Sequence, residues 1–169
     1  MDTHNQEEQF LLVIEEHKKI IYKIANSFKK DDEDRKDLVQ EIIFQLWRSF
    51  AGYKQLSKVS TWMYRVALNV AIASFRKEKK ENEVAFQLSG NMLAFTNDEG
   101  IDDTETDLRL LQQFINELNE LDRALILLYL EDKNGKEMAE ILGLSESNIR
   151  TKINRIKGKL KQRFSLNKQ

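Results

Sequence analysis

An all-α chain of two small helical domains is predicted by three observations. Apolar residues recur at spacings of three and four in both halves, no stretch shows the period-two alternation of a half-buried strand, and a charge boundary near residue 81 separates the halves. The boundary is abrupt. After the basic run Arg76-Lys77-Glu78-Lys79-Lys80, the segment from Glu81 to Asp107 carries eight acidic residues, no Lys or Arg, and both Gly90 and Gly100. Residues 81–106 are therefore read as a flexible acidic linker between domains at 1–80 and 107–169.

The first half offers three helices. Glu7 to Phe28 places Phe10, Ile14, Ile21, Ile24 and Phe28 on one stripe. In the second, Asp34 to Phe50, the residues Val39, Ile42, Ile43, Leu46 and Phe50 supply the core face. Phe44 falls opposite them, among Asp37, Gln40, Glu41 and Arg48, with Trp47 at the edge. An aromatic ring between acids and amides has two explanations: it packs under a loop, or it anchors a partner with a basic surface and an apolar pocket. The third helix, Ser60 to Lys80, carries Met63, Val66, Ala67, Val70 and Ala73 as its core stripe. Trp62, Arg65, Asn69, Ile72 and Arg76 share another face, beside the loop Gly52-Tyr53-Lys54-Gln55-Leu56-Ser57-Lys58. Aromatics among cations suit unstacked bases, with Trp62 or Tyr64 as stacking platform; ordinary core packing is the competing reading.

Four helices are expected in the second half: Asp107 to Leu118, Leu121 to Glu131, Lys136 to Leu142 and Glu146 to Arg163. The last two make a helix-turn-helix. Gly143 follows the shorter helix where a left-handed residue ends many helices, and Ser145 is a natural N-cap for the next. Ile149, Ile153, Ile156, Leu160 and Phe164 share one face of the final helix. Ser147, Thr151, Asn154 and Arg155 point away from it, with Asn148, Arg150 and Lys152 on the flanks. Hydroxyls, an amide and guanidinium groups are suited to phosphates and to base edges in a major groove. From Ser145 to Gln169 eight basic residues face the single acid Glu146, although the whole chain is at −1. A local basic helix supplies phosphate affinity without making the protein coat DNA indiscriminately. The acidic linker reads either as a solvated spacer or as a strand mimic in a basic channel. Val84, Phe86, Leu88, Met92, Leu93 and Phe95 argue that part of it docks.

Composition narrows the chemistry. The chain has 169 residues, 41% of them hydrophobic, enough for packed helices. With no cysteine there is neither a disulfide framework nor a thiolate metal site. The two histidines, His4 and His17, lie apart among charged residues and form no ligand cluster. No apolar run reaches membrane-spanning length and the N-terminus shows no basic region followed by an apolar core and a cleavage site, so a cytoplasmic protein is expected. No phosphate loop or paired-acid motif points to an enzyme, a cofactor, a metal or a small-molecule substrate.

Three motifs in order, Asp37-Leu-Val-Gln-Glu-Ile-Ile-Phe-Gln-Leu-Trp47, then Ser57-x-x-Ser60-Thr61-Trp62-Met63-Tyr64-Arg65-Val66-Ala67-Leu68-Asn69, then the helix-turn-helix, resemble the extracytoplasmic-function sigma factors of bacterial RNA polymerase. The resemblance covers nearly the whole chain outside the linker and the first few residues. It implies a non-catalytic promoter-specificity subunit, with Asp37, Gln40, Glu41, Phe44, Trp47 and Arg48 gripping the clamp helices of the largest polymerase subunit. Tyr53, Ser57, Thr61, Trp62, Tyr64, Arg65, Asn69 and Arg76 would capture single-stranded bases of the −10 element. Ser147, Asn148, Arg150, Thr151, Lys152, Asn154 and Arg155 would read the −35 duplex. The resemblance also implies an anti-sigma factor, which would hold the protein near the inner membrane. One departure stands out: many relatives have Leu-Pro ahead of the Arg-bearing helix, where this chain has Leu118-Asn119. The alternative to a sigma factor is a stand-alone helix-turn-helix regulator, dimeric on paired half-sites, whose first half serves for interaction.

Overall fold

The computed structural model describes residues 3–89 and 103–167, and all regular secondary structure among them is helical. Its seven helices are α1 (Thr3–Phe28), α2 (Asp32–Phe50), α3 (Val59–Ser89), α4 (Asp103–Glu117), α5 (Glu120–Leu130), α6 (Gly135–Leu142) and α7 (Glu146–Asn167). The all-α expectation holds, and every expected helix is present.

Helices α1 to α3 form one bundle. Asp31 opens α2, its carboxylate accepting from the Asp34 amide at 3.3 Å, while three acids in the first turn suit the positive end of the helix dipole. Leu38, Ile42 and Leu46 are buried, with Val39, Ile43 and Phe50 packed beside them. Phe10 meets Trp47 and Phe50 edge to face at 5.1 and 5.3 Å, closing the far end of the bundle.

The long α3 is covered on two sides. Met63 and Ala67 are fully buried, with Val66 and Val70 packed against the core, but Ala73 is exposed, so the expected core stripe ends one turn early. Tyr64, Leu68 and Ala71 are buried as well, with Phe75 partly so, and these four recur at the spacing of a second stripe. The Lys133 ammonium lies 5.3 Å from the Tyr64 ring centroid and the Arg123 guanidinium 4.7 Å from that of Phe75, so this stripe faces α5 and α6.

The linker expectation needs correction. Residues 81–89 continue α3, and residues 103–106 already belong to α4. No glycine or proline interrupts 59–89, so nothing in the backbone ends the helix where the charge changes sign. The remainder of the expected linker, with Met92, Leu93 and Phe95, lies outside the described residues.

In the second half α5 is the axis, with all seven residues from Asp122 to Leu128 buried. Asn119 explains the missing proline. Its side chain accepts from the Asp122 amide at 2.9 Å, so an N-cap starts the helix with no proline there. Asn119→Ala should lower unfolding free energy by about 0.5–2 kcal/mol in a denaturant titration, and a change under a few tenths would show that the cap is dispensable.

Arg123 is the unusual member of this core. Only 5% exposed, it donates from Nη2 to the carbonyls of Asn116 at 2.7 Å and Leu118 at 3.4 Å, closing the C-terminal end of α4. Its Nη1 reaches the Ser27 carbonyl at 3.3 Å in the first half, and its guanidinium lies over both Phe28 and Phe75. Burial pushes its pKa down, against the opposing pull of Glu78. Nε is buried without a hydrogen-bond partner.

Candidate nucleic-acid and polymerase interfaces

The helix-turn-helix is built as the sequence implies. Asn134 caps α6, accepting from the Glu137 amide at 2.8 Å while its Nδ2 donates to the Glu137 carboxylate at 3.1 Å. Gly143 ends the helix at φ 69°, a conformation that costs an L side chain but not glycine. Ser145 Oγ accepts from the Asn148 amide at 3.1 Å and opens α7. Met138 and Ile141 then meet Ile149, Ile153 and Ile156 in the core. On the other face Ser147, Asn148, Arg150, Thr151, Asn154 and Arg155 are exposed and Lys152 is half-buried. Thr151 bonds its hydroxyl back to the Ser147 carbonyl at 3.0 Å, while Arg155 Nη2 donates to both oxygens of the buried Asp122 carboxylate, at 3.2 and 3.3 Å.

On α2 the outer face is as expected. Phe44 is 52% exposed, Asp37, Gln40, Glu41 and Arg48 are exposed beside it, and the Arg48 guanidinium lies 5.8 Å from the ring centroid. Trp47 differs. It is half-buried against Phe10 and is a support of this face more than a part of it.

The third group departs most from expectation. Trp62 is 7% exposed, stacks on Tyr53 at 4.8 Å and meets Phe50 at a tilt at 6.0 Å. Tyr64 is 3% exposed under Lys133. Neither ring offers a face to a base in this conformation. Helical periodicity gives an angle around the axis but not what covers it. Thr61 is buried too, whereas Arg65, Asn69 and Arg76 are exposed. The Tyr53 hydroxyl donates to the Ser57 carbonyl and so closes the loop on itself. Gln55 sits at φ 57° within that loop, and next to it Leu56 is 90% exposed. An uncovered leucine at a polar loop tip was visible in the sequence only as an apolar residue between Gln55 and Ser57.

The Tyr64 pKa is pushed up to about 12, first by burial and then by the nearby Glu131 carboxylate. A raised folded-state value favours the neutral phenol, so its contribution is complete below pH 10 and lost as pH rises toward about 12. Melting temperature should fall across that window, and less steeply in Tyr64→Phe; identical slopes would remove Tyr64 as the cause.

Comparison with known proteins shows the family. The family described as Sigma-70 region 2 matches residues 13–81, and Sigma-70, region 4 matches residues 108–160. The ECF RNA polymerase sigma factor SigM of Bacillus subtilis is 31% identical over 147 residues, which span 86% of this chain and 88% of that one. The chain belongs to the extracytoplasmic-function sigma factors. RNA polymerase sigma factor SigV of the same organism is 29% identical over 148 residues, spanning 84% and 82% of the two chains. Among solved structures, CnrH in complex with the cytosolic domain of CnrY shares the fold at TM-score 0.67 and 18% identity, covering 95% of this chain and 90% of that one. RpoE of Bartonella quintana in complex with the anti-sigma factor NepR does so at 0.64 and 19%, covering 94% and 96%.

This sigma factor is a non-catalytic subunit that binds core RNA polymerase and DNA and directs transcription initiation, which sets aside the stand-alone regulator. Among the described residues there is no cluster able to hold a metal ion, and no helix is long and apolar enough to cross a membrane.

Proposed function

We propose that the sigma factor divides promoter recognition among its three surfaces. The α2 face around Phe44 grips the clamp helices of the largest polymerase subunit, where Trp47 holds its inner edge against Phe10. The loop of residues 51–58 and the exposed cations of α3, Arg65 and Arg76, take the displaced single strand of the −10 element. Tyr53 and Trp62 act there by bracing the loop, which leaves Leu56 and the polar residues to meet an extruded base. The exposed polar face of α7 enters the major groove of the −35 element.

The observation that carries this reading is a basic, polar recognition-helix face in the same chain as an exposed aromatic on α2, Phe44, that shares its face with Asp37, Gln40, Glu41 and Arg48. A free-standing DNA reader has no use for the second. Two further assignments belong with it: a cytoplasmic site of action, and an anti-sigma factor as regulatory partner, supported by a structural neighbour that was solved in complex with the anti-sigma factor NepR.

Single-round transcription with purified bacterial core polymerase on sheared genomic DNA tests the whole scheme. Discrete new start sites that share two upstream motifs are expected. No new starts, with tight duplex binding by the protein alone, would overturn it. On the promoter so defined, Arg155→Ala should weaken recognition of the upstream motif by about 1–3 kcal/mol if Arg155 reads a base edge. An equal loss on every sequence would make it a phosphate contact.

A further inference from the structure

Arg155 is tied to the protein interior in a way that the other cations of its face are not. Its Nη2 donates to both oxygens of Asp122, and the two side chains are unequally placed, the arginine 49% exposed and the aspartate 5%. Asp122 lies in the first turn of α5, where its amide is taken by the Asn119 cap and the positive end of the helix dipole suits its charge. Its carboxylate has no other hydrogen-bond partner among the described residues. Nε and Nη1 of Arg155 likewise take none there, so donors remain for an acceptor that approaches from outside. Arg150 and Lys152, on the flanks of the same face, form no ion pair among the described residues.

This pairing bears on where Arg155 can spend its charge. Every DNA sequence offers phosphates, and a cation that can swing to the nearest one adds the same affinity to all sequences. Arg155 cannot do so freely. Swinging away would strand a buried carboxylate with nothing else to pair with, and a buried charge left uncompensated is strongly unfavourable. A base edge met from the held position leaves the pair intact. The guanidinium is thus available to a matching base and withheld from phosphates elsewhere.

We propose that Asp122 is a positioning residue for −35 recognition, which sets the discrimination made by Arg155 at one base pair by holding the guanidinium back from the phosphates. This rests on the placement of the α7 face in the major groove, and adds a specificity determinant that is itself buried beneath that face.

The test uses holoenzyme assembled from the full chain and core polymerase, on the promoter fragment mapped by transcription and on fragments that carry each other base pair at each position of the upstream motif. Competition for open-complex formation gives a match-to-mismatch ratio at every position. Arg155→Ala marks the pair that Arg155 reads, where the ratio collapses. Asp122→Asn, which keeps the size of the side chain and removes its charge, should lower the ratio about tenfold at that same pair and less than about twofold elsewhere. The change should come from tighter binding to the mismatched fragments, an outcome that a loosened fold does not produce. In the Arg155→Ala background Asp122→Asn should alter no ratio further, because Asp122 acts only through Arg155. Asp122→Ser, smaller and still an acceptor, repeats the comparison, and melting temperatures of the full chains accompany both.

A loss spread evenly over all fragments, or a further loss of discrimination in the double variant, would make Asp122 merely structural and overturn the proposal. A marked pair whose ratio neither Asp122→Asn nor Asp122→Ser lowers would overturn it while leaving Arg155 as a base reader. If Arg155→Ala marks no pair, the placement of Arg155 against a base fails and the proposal with it, so the two failures are distinguished by the Arg155→Ala profile.

Discussion

Phe44→Ala combined with Glu41→Arg should abolish co-purification with core RNA polymerase while leaving the fold intact. A half-exposed aromatic with a cation over its ring is the kind of side chain that anchors an interface, and truncating such an anchor costs about 2–4 kcal/mol. Reversing the adjacent charge adds repulsion wherever the partner surface is basic. The intramolecular cost is small. Glu41 accepts one exposed hydrogen bond from Gln45 at 2.9 Å, and surface changes of this type stay within about 0.5 kcal/mol. At least a hundredfold loss of polymerase affinity, with an unchanged melting temperature, is therefore expected. Undiminished association would move the polymerase interface off α2.

The largest expected effect on stability is at Leu125, fully buried in the middle of α5. Leu125→Ala removes its transfer free energy and leaves a cavity in the core. That is a loss of about 2–5 kcal/mol, where the whole stability of a folded domain is of order 5–15 kcal/mol. The denaturant midpoint should fall without a change in slope. Leu130→Ala, five residues along the same helix and exposed, should change stability by less than about 0.5 kcal/mol. Equal effects at the two positions would contradict the burial pattern of α5.

What the sequence disclosed, and what it hid, follows from how each helix is packed. Where one face is buried and the other is wet, periodicity was enough: α7 and the outer face of α2 could be laid out residue by residue, including the anomalous Phe44. Leu38 was overlooked because the stripe was begun at Val39, one position around the axis from its true centre. On α3 the method failed for a different reason. With α1 and α2 on one side and α5 and α6 on another, periodicity cannot say which of its faces is wet, and only the tertiary arrangement shows that Tyr64 lies under the second half and Trp62 against Tyr53 and Phe50. The end of α3 was misplaced because a change in charge was read as a change in backbone. A charge boundary does not stop a helix. Asn119 was legible as a departure from the family pattern, yet its capping role depends on a hydrogen bond to Asp122 that sequence spacing only permits.

On the proposed assignment of Arg155 to the −35 duplex, its pair with Asp122 changes the entropy of promoter reading. A free arginine carries about 2 kcal/mol of rotamer entropy, which it must give up when it is fixed against a base. Arg155 leaves one side of its guanidinium in solvent while the other is held by a carboxylate that is itself buried in α5. Part of its rotational freedom has already been surrendered during folding. Recognition at that position then carries a smaller ordering penalty than at Arg150 or Lys152, for which the structure gives no comparable anchor, and a mismatched base meets a side chain less able to turn aside.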